Sequence, residues 1–137
     1  MVFWVELSET MGDVPENLKY TNEHEWIRIE GEEIIFGITD YAQDALTEVV
    51  WVELPEVGVS ANAMESIASV ESVKSVSEIY APISGKVIQI NDELEDSPEM
   101  INEDPYGEGW ICRMEISDKN EIEKLLSHVE YSSLIGR

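Results

Sequence analysis

From residue 20 onward, apolar positions recur at short intervals broken by turn residues, the pattern of a chain of short strands. Glu25-Trp26-Ile27-Arg28-Ile29-Glu30 alternates, Gly31 turns the chain, and Ile34-Ile35-Phe36-Gly37-Ile38 returns. Thr39 to Leu46 predicts a short helix capped by Thr39 or Asp40, with Gln43 reaching back if Asp40 is the cap. Val49 to Leu54 predicts a strand closed by Pro55-Glu56-Val57-Gly58. Ser66 to Val70 and Val76 to Tyr80 predict two strands joined by a tight connection. Pro82-Ile83-Ser84-Gly85 forms a second Pro-x-x-Gly turn before the strand Lys86 to Ile90. The two turns flank the central hairpin and hint at a quasi-symmetric arrangement.

Asn91 to Asp104 is polar and acidic, a loop with a turn of helix near Pro98-Glu99-Met100. Pro105-Tyr106-Gly107-Glu108-Gly109 leads into a strand whose Trp110, Cys112, Met114 and Ile116 share one face. Ser117 is expected to cap a last helix in which Ile122, Leu125, Leu126 and Val129 recur at helical spacing. The expected architecture is mainly β, a small sandwich or flattened barrel closed by an amphipathic helix, with nothing pointing to a parallel sheet. Residues 1–14 read as an N-terminal extension ahead of a domain spanning 15–137. Within the extension, Val2-Phe3-Trp4-Val5-Glu6-Leu7 nearly repeats Val49-Val50-Trp51-Val52-Glu53-Leu54. Coincidence is the plain reading; the sharper one is an added edge strand or self-association contact.

A length of 137 residues supports one domain with one core. With 8 Lys and Arg against 30 Asp and Glu, the net charge of −22 repels phosphate backbones and anionic membranes but attracts proteins with basic docking patches. The lone Cys112 excludes an internal disulfide framework and a Cys-rich metal site, and reads as a buried apolar thiol. No metal site is expected. No apolar run approaches the roughly 18–20 residues that span a bilayer. The N-terminus lacks the basic region of a signal peptide and the arginines of a transit peptide, so a cytoplasmic home is expected. His24 and His128 lie far apart without a nucleophile beside either; His24 reads as fixing the first strand. The carboxylates are too many for any pair to be singled out as acid and base.

One cation stands apart. Between Arg28 and Lys86 the chain carries Lys74 alone, in Val70-Glu71-Ser72-Val73-Lys74-Ser75-Val76-Ser77. Short and β-branched neighbours at a hairpin tip would lift one lysine clear of the body, where an enzyme can grip it. The plainer account is a solubilising turn lysine partnered by Glu71.

Glu71-Ser72-Val73-Lys74 followed by Pro82-Ile83-Ser84-Gly85 resembles the lipoylation hairpin of the glycine cleavage system H-protein family. The likeness continues in His24-Glu25-Trp26, Gly37-Ile38-Thr39-Asp40-Tyr41-Ala42-Gln43, Val52-Glu53-Leu54-Pro55-Glu56-Val57-Gly58 and Asn102-Glu103-Asp104-Pro105-Tyr106-Gly107-Glu108-Gly109-Trp110. These motifs span roughly residues 18 to 131 in order. The resemblance implies a lipoyl-domain fold, a barrel-sandwich hybrid with a short helix near 40–46 and a C-terminal helix. It implies a monomeric carrier, not an enzyme, with lipoate in amide linkage on Lys74 and Glu71, Ser72 and Val73 read by the attaching ligase or transferase. A pyridoxal-phosphate glycine decarboxylase (P protein) would load an aminomethyl group onto the arm. A folate-dependent aminomethyltransferase (T protein) would remove it, and dihydrolipoamide dehydrogenase (L protein) would reoxidise the dithiol.

The same resemblance places Glu25 and Tyr41 in the cleft that shelters the loaded arm. This chain departs from the family in Lys74-Ser75-Val76, in Met64-Glu65 where a glycine is usual, and in Ala45, which cannot hydrogen-bond the arm. Those departures keep two other readings in play: an H-like lipoate carrier of heterodisulfide-reductase-like sulfur oxidation, and an unmodified scaffold of the same fold. Biotin carriage is set aside because Val73-Lys74-Ser75 replaces the Met-Lys-Met turn of biotin carriers.

Overall fold

The computed structural model describes residues 14–137, so the extension's near-repeat of Val49–Leu54 lies outside the described residues. Two antiparallel sheets form the body. The larger is built from β1 (Lys19–Tyr20), β2 (Glu25–Glu30), β3 (Glu33–Ile38), β5 (Ser60–Ala61), β8 (Gly85–Ile90) and β9 (Cys112–Ile116). Its strand order is β1-β2-β3-β9-β8-β5. The smaller holds β4 (Val49–Glu53), β6 (Ser66–Ser72) and β7 (Val76–Tyr80) in the order β4-β6-β7. Between β3 and β4 lies helix α1 (Asp40–Leu46). A 3-10 turn (Asp92–Glu95) and helix α2 (Met100–Glu103) cross over to β9, and helix α3 (His128–Ile135) ends the chain. This is the mainly β sandwich read from the alternating pattern.

The inner faces of the two sheets supply one core. Ile27, Ile34 and Phe36 from the large sheet and Val52, Val70 and Ile79 from the small one are all buried in it. The large sheet is covered on its other face as well. There Leu18, Tyr20, Trp26, Ile35 and Tyr131 form a second cluster. That is why Glu25, Trp26 and Ile27 are buried in succession; the simple alternation read from this strand does not hold, and Ile29 beyond them is 39 % exposed beside exposed Glu30. Two-sided cover favours continuous apolar runs over strict alternation.

Local chemistry sets the elements that matter for the site. Thr39 is the cap of α1: its hydroxyl accepts the Ala42 amide at 3.2 Å. Gln43 does reach back, but to the Asp40 side chain at 3.0 Å, while its carbonyl accepts from Asn102 at 2.9 Å and ties α1 to α2. The first Pro-x-x-Gly turn ends against β8, the strand that leaves the second, with the Gly58 amide on Val87 O at 2.7 Å and the Val87 amide on Val59 O at 2.8 Å. Met64 stands at φ 69°, the left-handed region that glycine occupies without a Cβ penalty.

The C-terminal helix differs from its expected extent. A 3-10 stretch (Lys119–Lys124) capped by Asp118 comes first, and Leu125 is extended. Leu126 then exchanges both backbone hydrogen bonds with Tyr20, at 2.9 and 2.8 Å, which interrupts any continuous helix from Ser117. Ser127 and Glu130 form a capping box that starts α3 afresh. Its buried residue is Tyr131, whereas Val129, counted on the apolar stripe, is 62 % exposed.

Gly85 sits where β8 meets β9, paired with Ile116. A Cβ added there would stand 2.1 Å from the Glu115 carbonyl oxygen. Gly85→Ala is therefore expected to force the β8–β9 ladder apart and lower stability by about 3 kcal/mol or more, read from urea unfolding. An unfolding midpoint equal to the parent's would refute that packing.

Candidate functional site

The tip between β6 and β7 is a tight loop braced by one hydroxyl. The Ser72 amide donates to Ser75 O at 2.8 Å. Ser72 Oγ accepts the Lys74 and Ser75 amides at 3.2 and 3.1 Å and donates to Ser75 O at 3.2 Å. The Val73 amide reaches Glu48 O at 3.0 Å, which fastens the tip to the segment before β4. A short hydroxyl side chain is what such a turn requires. Ser72 is accordingly buried at 5 % exposure, so its hydroxyl faces the loop. Lys74 is exposed, flanked by Val73 and Val76 at 63 and 62 %. Among the described residues no carboxylate forms an ion pair with Lys74; the paired cations are Arg113, Lys119 and Arg137. Glu71 instead lies in register with Trp51 on one side and Val76 on the other.

Beside the tip opens a cleft of about 320 Å³. Ser75 and Ser77 line it near the lysine, Ile38, Leu46, Val70 and Ile79 form its floor, and Tyr41, Ala42 and Ala45 present α1. Its polar lining includes His24, Tyr41 and the acidic residues Glu23, Glu25 and Glu78. A more open groove of about 540 Å³ runs along Glu53, Pro55, Ser60, Glu65 and Ser69, shares Glu78 with the cleft and includes no residue of the tip.

Glu25 is the buried member of the acidic set, at 1 % exposure. Its Oε1 accepts the Thr21 hydroxyl at 2.6 Å and its Oε2 accepts the Tyr80 amide at 3.0 Å. Burial pushes its carboxyl up to about 7, against the opposing pull of those two hydrogen bonds. Glu78 is exposed and accepts a hydrogen bond from Ser66.

His24 closes the turn between β1 and β2 at φ 72°. Its Nδ1 lies 2.8 Å from Tyr131 Oη, and Tyr131 Oη lies 2.8 Å from Thr39 Oγ1. Tyr131 stacks on Tyr20 with ring centroids 4.7 Å apart, and burial pushes its phenol up to about 12. On the other side the His24 ring meets Tyr41 at 4.9 Å. Arg137 covers Tyr41 at 5.4 Å and pairs with Asp40 at 3.1 Å, so the end of α3 is tied to the start of α1.

Folding thus brings Glu25 and Tyr41, singled out in the sequence, into one cleft that reaches the Lys74 tip through Ser75. Ala45 is part of the lining and adds no polar group. Sequence reasoning missed Glu23, His24 and Glu78. Glu78 carried a usable signal, since it lies four residues past Lys74 on the returning strand. His24 was seen within His24-Glu25-Trp26 but assigned to strand-fixing alone. Cys112 is fully buried, its thiol pushed up to about 12 by burial, which agrees with an inert core residue. Among the described residues no cluster of His, Cys, Asp and Glu suits a metal ion, and no helix is long and apolar enough to cross a membrane.

A family model described as glycine cleavage H-protein matches residues 18–137. The glycine cleavage system H protein of Staphylococcus saprophyticus is 53% identical over 123 residues, covering 90% of this chain and 98% of its own. The protein of the same name from Bacillus cereus is 51% identical over 124 residues, with the same coverage of 90% and 98%. Among solved structures, the crystal structure of a glycine cleavage system H protein from Mycobacterium marinum superposes with a TM-score of 0.81 at 38% identity, over 90% of this chain and 99% of that one. With a family match over most of its length and relatives above half identity, the chain belongs to the glycine cleavage H-protein family.

Proposed function

We propose that Lys74 carries lipoate in amide linkage and that the chain is the non-enzymatic carrier of glycine cleavage. It takes an aminomethyl group from the pyridoxal-phosphate decarboxylase and yields it to the folate-dependent aminomethyltransferase. Dihydrolipoamide dehydrogenase then resets the dithiol, and a lipoate ligase or transferase attaches the arm in the first place. The protein works as a monomer in the cytoplasm, and residues 15–137 form the carrier domain behind the 1–14 extension. The observation that carries the reading is a lysine without an ion pair among the described residues, on a braced tip that opens onto an acidic cleft. The names of the relatives favour glycine cleavage over the sulfur-oxidation alternative.

The residues present fit the group. Lys74 supplies the free amine, and Val73 and Val76 flank it with exposed apolar surface suited to an aliphatic arm. When bound, lipoate supplies a cyclic disulfide that takes up the aminomethyl group on one sulfur as the other is reduced. The chain's own work is to seat the cargo's cation. Glu23 and Glu25 line the cleft with Glu78 at the edge it shares with the open groove, while Ile38, Leu46, Val70 and Ile79 restrict water around it. In a partly dry site an opposite charge is held more strongly than at an open surface. Glu71 and Val73, both exposed beside the lysine, are side chains that an attaching enzyme can read directly; Ser72 acts through the shape of the turn.

Intact mass after incubation with lipoate, ATP and a lipoate ligase should rise by one lipoyl increment in the parent and stay unchanged in Lys74→Ala. A folded parent that gains nothing, beside a working control carrier, would overturn the reading. Glu25 gives a pH signature. Its carboxyl is raised from 4.5 to about 7 in the folded chain, so the fold binds the extra proton and is favoured at low pH. That contribution, about 3 kcal/mol, is present below pH 4.5 and lost as pH rises through about 7. Stability of the parent relative to Glu25→Gln should fall across this window. Loading the arm with an ammonium cargo should pull the Glu25 carboxyl back down, read from its ¹³C chemical shift; an unshifted titration in loaded protein would argue against this seat.

A further inference from the structure

The chain from Thr39 through Tyr131 to His24 settles where the imidazole proton resides. Thr39 is fully buried, and its Oγ1 already accepts the Ala42 amide. Among the described residues, Thr39 Oγ1 has one other partner, Tyr131 Oη at 2.8 Å, and either oxygen of that pair can be the donor. If Thr39 donates to Tyr131, the phenol proton is directed to His24 Nδ1, and every group in the chain is satisfied. In the reverse order Nδ1–H donates to the phenol and the phenol to Thr39, which strands a buried hydroxyl proton at a cost of about 1–3 kcal/mol. The forward order wins, so Nδ1 is an acceptor and the ring proton sits on Nε2. Burial disfavours a second ring proton, outweighing the opposite influence of Glu23. With Nδ1 engaged, Nε2–H is the polar edge His24 has left for an occupant of the cleft it lines. The left-handed backbone at His24 is a further sign of constraint, since such a φ in a residue with a Cβ persists only when its surroundings enforce it.

We propose that Thr39 and Tyr131 are positioning residues that hold His24 as an Nε2–H donor, so that the cleft offers carboxylates but no imidazole base to its alkylammonium cargo. The proposal rests on the aminomethyl-carrier reading above. An aminomethyl thioether is lost when a base removes an N–H proton. The freed lone pair then forms C=N, the C–S electron pair leaves on sulfur as thiolate, and water converts the iminium to formaldehyde and ammonium. A bare Nε2 facing the cleft would supply that base. A protonated Nε2 cannot, and the nearby carboxylates favour the charged amine.

The test uses the full-length chain. Long-range ¹H–¹⁵N spectra of the unmodified protein at neutral pH should show a bare Nδ1 and a protonated Nε2 for His24, assigned by the signal's loss in His24→Gln. Tyr131→Phe, which keeps the stacked ring, should release the tautomer to a mixture. In lipoylated protein loaded with glycine and the decarboxylase, Tyr131→Phe should shed formaldehyde about tenfold faster than the parent. His24→Gln added to Tyr131→Phe should restore the slow rate, because glutamine donates a hydrogen bond but is no base. An Nδ1–H tautomer in the parent overturns the proposal. So does unchanged release in a Tyr131→Phe sample whose tautomer has shifted, or a double variant as leaky as the single one. A parent with the expected tautomer that never loads would fail the carrier reading and take this role down with it.

Discussion

One carboxyl group holds the two sheets together where the cleft opens. Glu25 begins β2 of the large sheet, yet its Oε2 takes the backbone amide of Tyr80 at the end of β7 in the small sheet. Its other oxygen takes the Thr21 hydroxyl, which also receives the Glu23 and Glu25 amides at 3.2 and 3.3 Å. An acceptor with two oxygens can bridge in this way, and an apolar residue of similar size would leave the Tyr80 amide without its side-chain partner. The burial that the bridge demands is also what makes the group easy to protonate. The cleft therefore has an acidic wall whose charge answers to what sits inside it, and the structural role and the chemical one are the same fact.

The rest of the site leans on the far face of the large sheet. The cluster around Trp26 and Tyr131 lies away from the tip, but it fixes α3, and α3 delivers Tyr131 to His24 and Arg137 to Tyr41. Trp26 itself donates to Pro105 O at 2.8 Å, and the Tyr106 hydroxyl accepts the Asp40 amide at 3.0 Å. Substituting this cluster would thus reach the cleft through α1 and the β1–β2 turn without altering any residue that lines it.

The strands were legible because one or both faces of each are apolar and turn residues punctuate them: β2, β3, β4, β6, β7 and β8 lie where the pattern puts them, as does α1 with its Thr39 cap. Strand β9, by contrast, begins only at Cys112, and Trp110, read on the same face, packs in the cluster around Trp26. What periodicity could not reveal was tertiary in origin. Strands β1 and β5 are two residues each, recognisable only through their partners. The apolar stripe from Ile122 to Val129 looked continuous because nothing local announces that Leu126 pairs with Tyr20, more than a hundred residues earlier. The site divides along the same line. Lys74 stood out because its turn is local, whereas the cleft is assembled from residues 23–25, 38–46 and 70–79, and proximity among those has no sequence signature.

The brace at Ser72 has a consequence for reach. With the backbone of the tip fastened at Ser72 and Val73, anything appended to Lys74 swings from a fixed pivot, and its whole range comes from single-bond rotation along the side chain. A tether of that kind holds its far end near the cleft at an effective concentration on the order of millimolar. A seat with equally modest intrinsic affinity would then be occupied about half the time, and vacated fast enough that a partner need not pull the cargo out. Tight sequestration would slow every handover; a rigid pivot removes the need for it.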